Sequence, residues 1–413
     1  MLQGWKGKIL SKVGKEVLIK AVAQSLPTYA MGVFQLPLKL CDELNALCAK
    51  FWWGQVGDER KVHWKSWDSL SQPKNDGGMG FRDLRSFNLA MLAKQGWRLL
   101  HDHDSLLSQC FKARYFPRCH FLDAVDLPNS SYVWKSMVAA LPILKSGCCW
   151  RVGNGVSIRV HKDKWIPNYP ANKILHLAQE ESEEWLVSEL IDSVSHCWMR
   201  DVIMSSFHRE DAEAICNIHL SHRQVSDSVV WLHNRKGVYS VRSGYYIARR
   251  VMRKDDWAES SRGSGGLQIW KKLWKLRVPN KIKVFGWRTC HEILPTCVNL
   301  ARRKILSDPM CHCYKFFPES TVHAIWECVA TQDVWAGSSI NLQKCPTNQC
   351  DIIQLFEFLF DRLSDADLEL FLVQSWLIWN QRNRVVHGGQ TMDPRGLNKR
   401  ALDYLNEYKK SQV

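Results

Sequence analysis

Apolar residues recur at helical spacing along most of the chain. In KGKILSKVGKEVLIKAVAQSLP, Ile9, Leu10, Val13, Val17, Leu18, Ala21 and Val22 follow a 3.6-residue period. Lys8, Lys12, Lys15 and Lys20 are spread around the remaining surface, and Pro27 stops the run. The same spacing predicts helices over 41–52 and over SFNLAMLAKQGWRLL. Between them, GQVGDERKVHWKSWDSL reads as a loop or short strand leading to a capping Asp68 or Ser69, and PKNDGGMGFRDL as a glycine-rich turn. The pattern then shortens to period two. Trp150-Arg-Val, Gly153-Asn-Gly155 and residues 156–160 predict one hairpin, and SVVWLHNRKGVYSVRSGY predicts another around Arg235-Lys-Gly. An acidic stretch, QEESEEW at 179–185, precedes two expected helices. The polar run RKDDWAESSRGSGG at 253–266 reads as a linker. Beyond it, Pro279 opens a helix whose Val284, Phe285 and Trp287 face a core while Lys281 and Lys283 face out. From Asp351 onward the pattern is helical, broken only at GGQTMDPRG.

The expected fold is therefore predominantly α, with short hairpins in a mixed α/β middle. The expected segments are a basic helical domain at 1–125, the mixed region at 126–252, the linker at 253–266, a small helical domain at 267–345 and a helical segment at 346–413. No internal repeat of fixed period interrupts this division.

Charge adds a direction. The 413 residues carry a formal net charge of +15. Residues 1–120 hold 18 Lys/Arg against 10 Asp/Glu, and residues 263–313 hold 10 against 2. Two concentrated basic segments favour a polyanionic partner, most simply nucleic acid, over a merely solvated surface. The chain also holds 20 tryptophans, whose default role is core packing. Its 15 cysteines are odd in number, and the lysine-laced N-terminal stretch lacks a signal-peptide core. Reduced thiols in an intracellular protein are expected, with Cys48, Cys216 and Cys290 as examples. No run is long and apolar enough for a membrane span, so no membrane partner is expected.

One cluster carries candidate chemistry. In MCHCYKFFPESTVHAIWEC, Cys311, Cys313, His323 and Cys328 supply three sulfurs and an imidazole, the donor set of a structural zinc site. His323 and Cys328 sit at the two ends of one helical turn, after a loop containing a cap-like Ser320. The Cys-x-Cys pair is one residue shorter than the usual spacing, and His312 is an alternative to either cysteine. Buried, inert thiols are the competing reading.

These blocks together resemble the region downstream of the polymerase core in plant non-LTR (LINE-type) retrotransposon reverse transcriptases. The resemblance rests on GWKGKILSKVGKEVLIKAVAQSLPTYAMGVFQLP, KVHWKSWDSLSQPKNDGGMGFRDLRSFNLAMLAKQGWRLL, SYVWKSMVAALPILKSGCCWRVGNGVSIRVHKDKWIP, IWKKLWKLRVPNKIKVFGWRTCHEILPTCVNLARRKI and WLIWNQRNRVVHGG. It spans nearly the whole chain. It implies a thumb-like domain at the start and a reverse-transcriptase zinc-binding domain over 267–345. The family's knuckle reads Cys-x-x-Cys, eight residues, His, four residues, Cys. Cys311, His323 and Cys328 fall in place, but Tyr314 stands at the second cysteine position and Cys313 one residue early.

The resemblance implies zinc as cofactor and nucleic acid, RNA or an RNA/DNA hybrid, as partner, held through its phosphates. The expected contacts are Lys6, Lys8, Lys12, Lys15 and Lys20 at the start. The second set is Lys271, Lys272, Lys275, Arg277, Lys281, Lys283, Arg288, Arg302 and Arg303. Trp270 and Trp274 are candidates to stack on unpaired bases. The aromatic-Ala-Asp-Asp string of the polymerase palm does not occur, and the chain stops about where the family's linker to a ribonuclease H domain begins. The expectation is a non-catalytic nucleic-acid-binding segment, nuclear if functional. A decayed or domesticated relic, and a subunit completed by a palm on another chain, stay open beside it.

Overall fold

A computed structural model of the chain describes residues 10–55, 61–176, 185–221, 223, 225–252, 265–313, 315–343 and 351–412. Lys6, Lys8, Tyr314, all of the acidic stretch except Trp185, and the linker up to residue 264 lie outside the described residues. The fold is predominantly α, with a single two-stranded sheet among the described residues. No described helix is long and apolar enough to cross a membrane.

The chain divides into two compact units, and neither is continuous in sequence. One comprises Met1–Ser25, Asp42–Asp83 and Glu259–Val413; the other comprises Leu26–Cys41 and Leu84–Ala258. The compact units therefore do not coincide with boundaries at 125 and 252.

In the first unit, segments from both ends of the sequence share one core. Trp52, Met79 and Phe81 pack with Leu273, Trp287, Phe356 and Phe371 in one buried cluster. Local chemistry sets the helices that supply it. Ser11, Ser66, Thr296, Asp351, Ser364 and Asp393 each accept a hydrogen bond from a backbone N–H of the following first turn. Ser66, rather than Asp68 or Ser69, caps the short helix Trp67–Leu70. Pro279 opens helix Asn280–Cys290 as expected, and Val284, Phe285 and Trp287 are buried along it. The turn at 74–80 reaches into this core. Gly77 has φ +85°, and a Cβ there would lie 2.9 Å from the Trp270 indole nitrogen. Its carbonyl accepts from Trp287 Nε1 at 2.7 Å and lies 2.6 Å from His291 Nε2, so only glycine suits the position.

In the second unit, helix Leu84–His101 packs against helices Tyr132–Ala139, Leu141–Gly147 and Val241–Met252 around Trp134 and Trp231. A smaller core gathers Ile158, Val160, Trp165, Val187 and Ile203. The hairpin expected at 150–160 does not form. Strand Cys148–Arg151 pairs antiparallel with Ser228–Trp231, Cys148 opposite Trp231. The glycine turn is taken by Asp227 instead: its carboxylate accepts the N–H groups of Gly153, Gly155 and Ser157 at 2.7–2.9 Å. The second expected hairpin reduces to a turn closed by Trp231 N–H donating to the Gly237 carbonyl, after which helix Val241–Met252 begins.

Candidate metal centre and basic surface

Met310 and Pro318 form an antiparallel bridge, and Cys311 N–H donates to the Phe317 carbonyl at 2.9 Å. This turns the Cys311 side chain inward, where it is buried. Ser320 Oγ accepts from His323 N–H at 3.0 Å and starts the π-helical turn His323–Glu327. That wider turn brings Cys328 N–H to the His323 carbonyl at 2.9 Å. Cys328 is then the cap residue of helix Val329–Ala336, where the N-terminal end of the helix favours a thiolate.

The result is a convergent group. The ligand atoms of Cys311, His323 and Cys328 all lie within 4.8 Å of one another, and all three residues are buried. The two sulfurs are 3.9 Å apart. Two thiolates on one tetrahedral zinc, at Zn–S of about 2.3 Å, stand about 3.8 Å apart. His323 Nε2 is buried with no hydrogen-bond partner among the described residues. A buried imidazole nitrogen without a partner is costly, and a metal bond removes the cost. The residues therefore fit zinc. The Cys328 thiol is pushed far up, first by its hydrogen bond with Cys311 and then by burial, so metal binding would displace protons from this pair.

Cys313 behaves differently. It is exposed and outside the three-atom group, though its thiol hydrogen-bonds that of Cys311, which raises its pKa. It also lines a cavity of about 30 Å³, beside Cys311, Glu319, Cys328 and Arg382. His312 is exposed and takes no part in the group. Thus the structure gathers three of the four expected ligands and leaves Cys313 at the margin. None of the thirteen described cysteines is in a disulfide, and Cys48 and Cys290 are buried thiols pushed up by burial.

Two residues that carry no sequence signal brace this site. Glu319 is 1% exposed. Arg382, on helix Asp365–Val386, donates through Nε to Glu319 Oε1 at 2.7 Å and through Nη2 to Oε2. Cys297 N–H donates to the same carboxylate at 2.9 Å, and Glu319 N–H donates to the Pro309 carbonyl at 2.8 Å. The loop carrying Cys311 is thus tied to two helices through one carboxylate.

The basic residues separate into two groups. Those of the first helix turn inward. Lys12 Nζ donates to the Trp52 carbonyl at 2.5 Å and stands 5.1 Å from the ring centres of Trp52 and Trp53. Lys15 is 6% exposed and lies over Phe51. Lys20 binds Glu16 and the Met79 carbonyl, each at 2.7 Å. The expectation of an outward basic face therefore gives way to Lys12 and Lys15 packed on aromatic rings and Lys20 paired with Glu16. In the second segment Lys272 donates to the Phe360 carbonyl, Lys283 donates to the Trp274 carbonyl, and burial pulls Arg288 down to about 10. Lys271, Lys275, Arg277, Lys281, Arg302 and Arg303 are exposed. Trp270 stacks on His291 at 4.6 Å and Trp274 lies under Lys74 at 4.1 Å, so both pack against the core.

Burial, then Arg288, then Lys15 pull Lys12 down to about 7. Its ordinary value is 10.5, so between pH 7 and 10.5 the unfolded chain holds more protons at this site. Stability at this site accordingly rises with pH across that window, and the penalty is fully present below pH 7. Replacement Lys12→Met is expected to flatten the rise in urea midpoint between pH 7 and 10. An unchanged slope would show that Lys12 stays charged in the folded chain.

Comparison with known proteins bears on the same region. A family model described as zinc-binding in reverse transcriptase matches residues 239–335, which include the Cys311, His323 and Cys328 group. The chain is 26% identical over 415 residues to the "Putative ribonuclease H protein" of Arabidopsis thaliana, a match covering 94% of this chain and 63% of that protein. It is 38% identical over 143 residues to an "Uncharacterized mitochondrial protein" of the same plant, covering 34% of this chain and 93% of the relative. The chain therefore spans less than two thirds of the first relative's length and nearly all of the second's.

Proposed function

Because the chain belongs to the reverse-transcriptase-related proteins of plant retrotransposons, we propose that it is a nucleic-acid-binding segment whose zinc has a structural role. Cys311, His323 and Cys328 hold the ion, with Cys313 as the candidate fourth ligand. The observation that carries this reading is the convergence of three buried donors around an unpartnered His323 Nε2. Zinc bound there closes the loop between Cys311 and Cys328 and fixes the helices on either side.

Nucleic acid is held through phosphates by the exposed cations Lys271, Lys275, Arg277, Arg302 and Arg303. The inward lysines Lys12, Lys15 and Lys20 serve the fold instead. No base-specific readout follows from a surface of this kind, and RNA and an RNA/DNA hybrid are both accommodated. The sequence contains no palm-type aspartate pair after aromatic-Ala, which favours a holding role over chemistry for this chain. Other parts of a retroelement polymerase are the natural neighbours of such a segment.

Binding of a fluorescent single strand by the full chain, followed by anisotropy across a salt series, tests this reading. Replacing Arg277, Arg302 and Arg303 with Gln is expected to weaken binding to all sequences alike. The slope of log affinity against log salt should fall by about 2–3, since each lost phosphate contact removes roughly 0.7–0.9. Lys15→Gln should lower the melting temperature and leave that slope in place. A flat salt series for the unmodified chain would refute phosphate binding and favour the relic reading.

A further inference from the structure

Away from the cysteine centre, two histidines and a carboxylate converge within the second compact unit. His208 is the cap residue of helix Arg209–Cys216, and Glu210 lies in its first turn. His176 comes from a separate stretch of chain and meets them. One ligand atom from each of His176, His208 and Glu210 lies within 4.8 Å of the others, and all three residues are exposed. The two imidazole rings face each other with centres 4.1 Å apart and 31° between planes.

What distinguishes this group from a chance surface cluster is the residue beneath it. Asp211 is fully buried, with 0% of its surface exposed. Its carboxylate accepts the N–H groups of Leu175 and His176, each at 3.1 Å, and its Oδ2 lies 2.9 Å from His176 Nδ1. Burying a carboxylate is expensive unless it is fully hydrogen-bonded. Here those bonds fix the backbone and ring of one half-exposed histidine. With Nδ1 donating to Asp211, Nε2 carries the lone pair. A buried carboxylate that holds one imidazole nitrogen orients the other for a metal and makes it more basic.

We propose that His176, His208 and Glu210 form a second, solvent-facing site for a divalent d-block ion, zinc being the best match, with Asp211 as positioning residue for His176. Two imidazole nitrogens and one carboxylate oxygen suit zinc, whereas magnesium and calcium prefer all-oxygen shells. Three protein ligands leave a coordination position open to water or to a donor from an outside molecule, unlike a closed structural knuckle. The proposal does not depend on the reverse-transcriptase reading or on the cysteine centre.

Cobalt(II), titrated into the full chain as a spectroscopic probe, separates the two sites. Thiolate ligands give an intense sulfur-to-cobalt band in the near ultraviolet, and a His/His/Glu site gives only weaker ligand-field absorption. The expected result is one equivalent bound without the thiolate band, whatever the cysteine centre does. His208→Ala combined with Glu210→Gln should remove that equivalent with the far-ultraviolet circular dichroism unchanged. Cys328→Ser should leave it in place. Asp211→Asn should weaken its affinity by about 10–100-fold. An unmodified chain that binds no cobalt outside the thiolate band, or a double variant that still binds the equivalent lacking that band, overturns the site. Unchanged affinity in Asp211→Asn overturns the positioning role.

Discussion

Cys328→Ser is expected to abolish the zinc binding proposed for the cysteine centre and to lower the melting temperature of the chain well below that of Cys290→Ser. Both thiols are buried, at 4% and 1% exposure, so a hydroxyl at either position carries a similar desolvation cost of about 1–3 kcal/mol. The difference lies in what else each sulfur holds. Cys290 sits within the apolar core of the first unit. Cys328 faces Cys311 and His323, and its loss leaves too few donors to keep a structural ion. Metal binding free energy is folding free energy at such a site, so several further kcal/mol go with it. Melts of the unmodified chain and both variants, with and without a strong chelator, read this out. Chelation should lower the unmodified chain and Cys290→Ser far more than Cys328→Ser. Equal melting shifts in the two variants, insensitive to chelator, would show inert thiols and no structural ion.

The second large effect is expected at Glu319 and Arg382. Their side chains are 1% and 11% exposed, and the guanidinium engages both carboxylate oxygens. Removing one partner of a buried pair strands the other charge, at a cost of about 3–5 kcal/mol. Glu319→Ala and Arg382→Met should each show a loss of that size in urea unfolding. Together they should cost clearly less than the sum of the two, because no charge is then left stranded. Strict additivity would mean that water already reaches the pair. The same variants should loosen the Cys311 loop, since Glu319 N–H and its carboxylate anchor residues 309–319 to the helices at 297 and 382.

How much of this was legible in the sequence depends on the range of the interaction. Helices with their own caps and stops were readable: Pro279 opens one, and the run from Leu84 to His101 follows its apolar spacing. The Cys311, His323 and Cys328 group was readable because two of its ligands share one turn and the third lies in an adjacent loop. Its fourth member was not, since the short spacing left Cys313 exposed. The hairpin at Gly153 failed because a distant carboxylate, Asp227, claimed the turn's N–H groups and a distant strand claimed its edge. Amphipathic spacing also misplaced Lys12 and Lys15. That pattern assumes charge seeks water, and here aromatic faces from helix Leu38–Trp53 hold the cations. The His176 group and the Glu319–Arg382 pair left no trace, because His176 is distant in sequence from His208 and Glu210, and Glu319 from Arg382.

The interleaved architecture also bears on how the chain is made. The first unit needs residues from Met1–Ser25 and from Glu259–Val413, with all of the second unit emerging between them. At ribosomal rates of 5–20 residues per second, the opening helix and the Trp52 core wait roughly 10–35 s for their partners. The second unit, largely contiguous, can close during that pause. The waiting segment is basic and rich in tryptophan, the kind of surface that chaperones engage. Nascent chains that stop before helix Asp365–Val386 should therefore keep the second unit folded and expose the first to proteolysis.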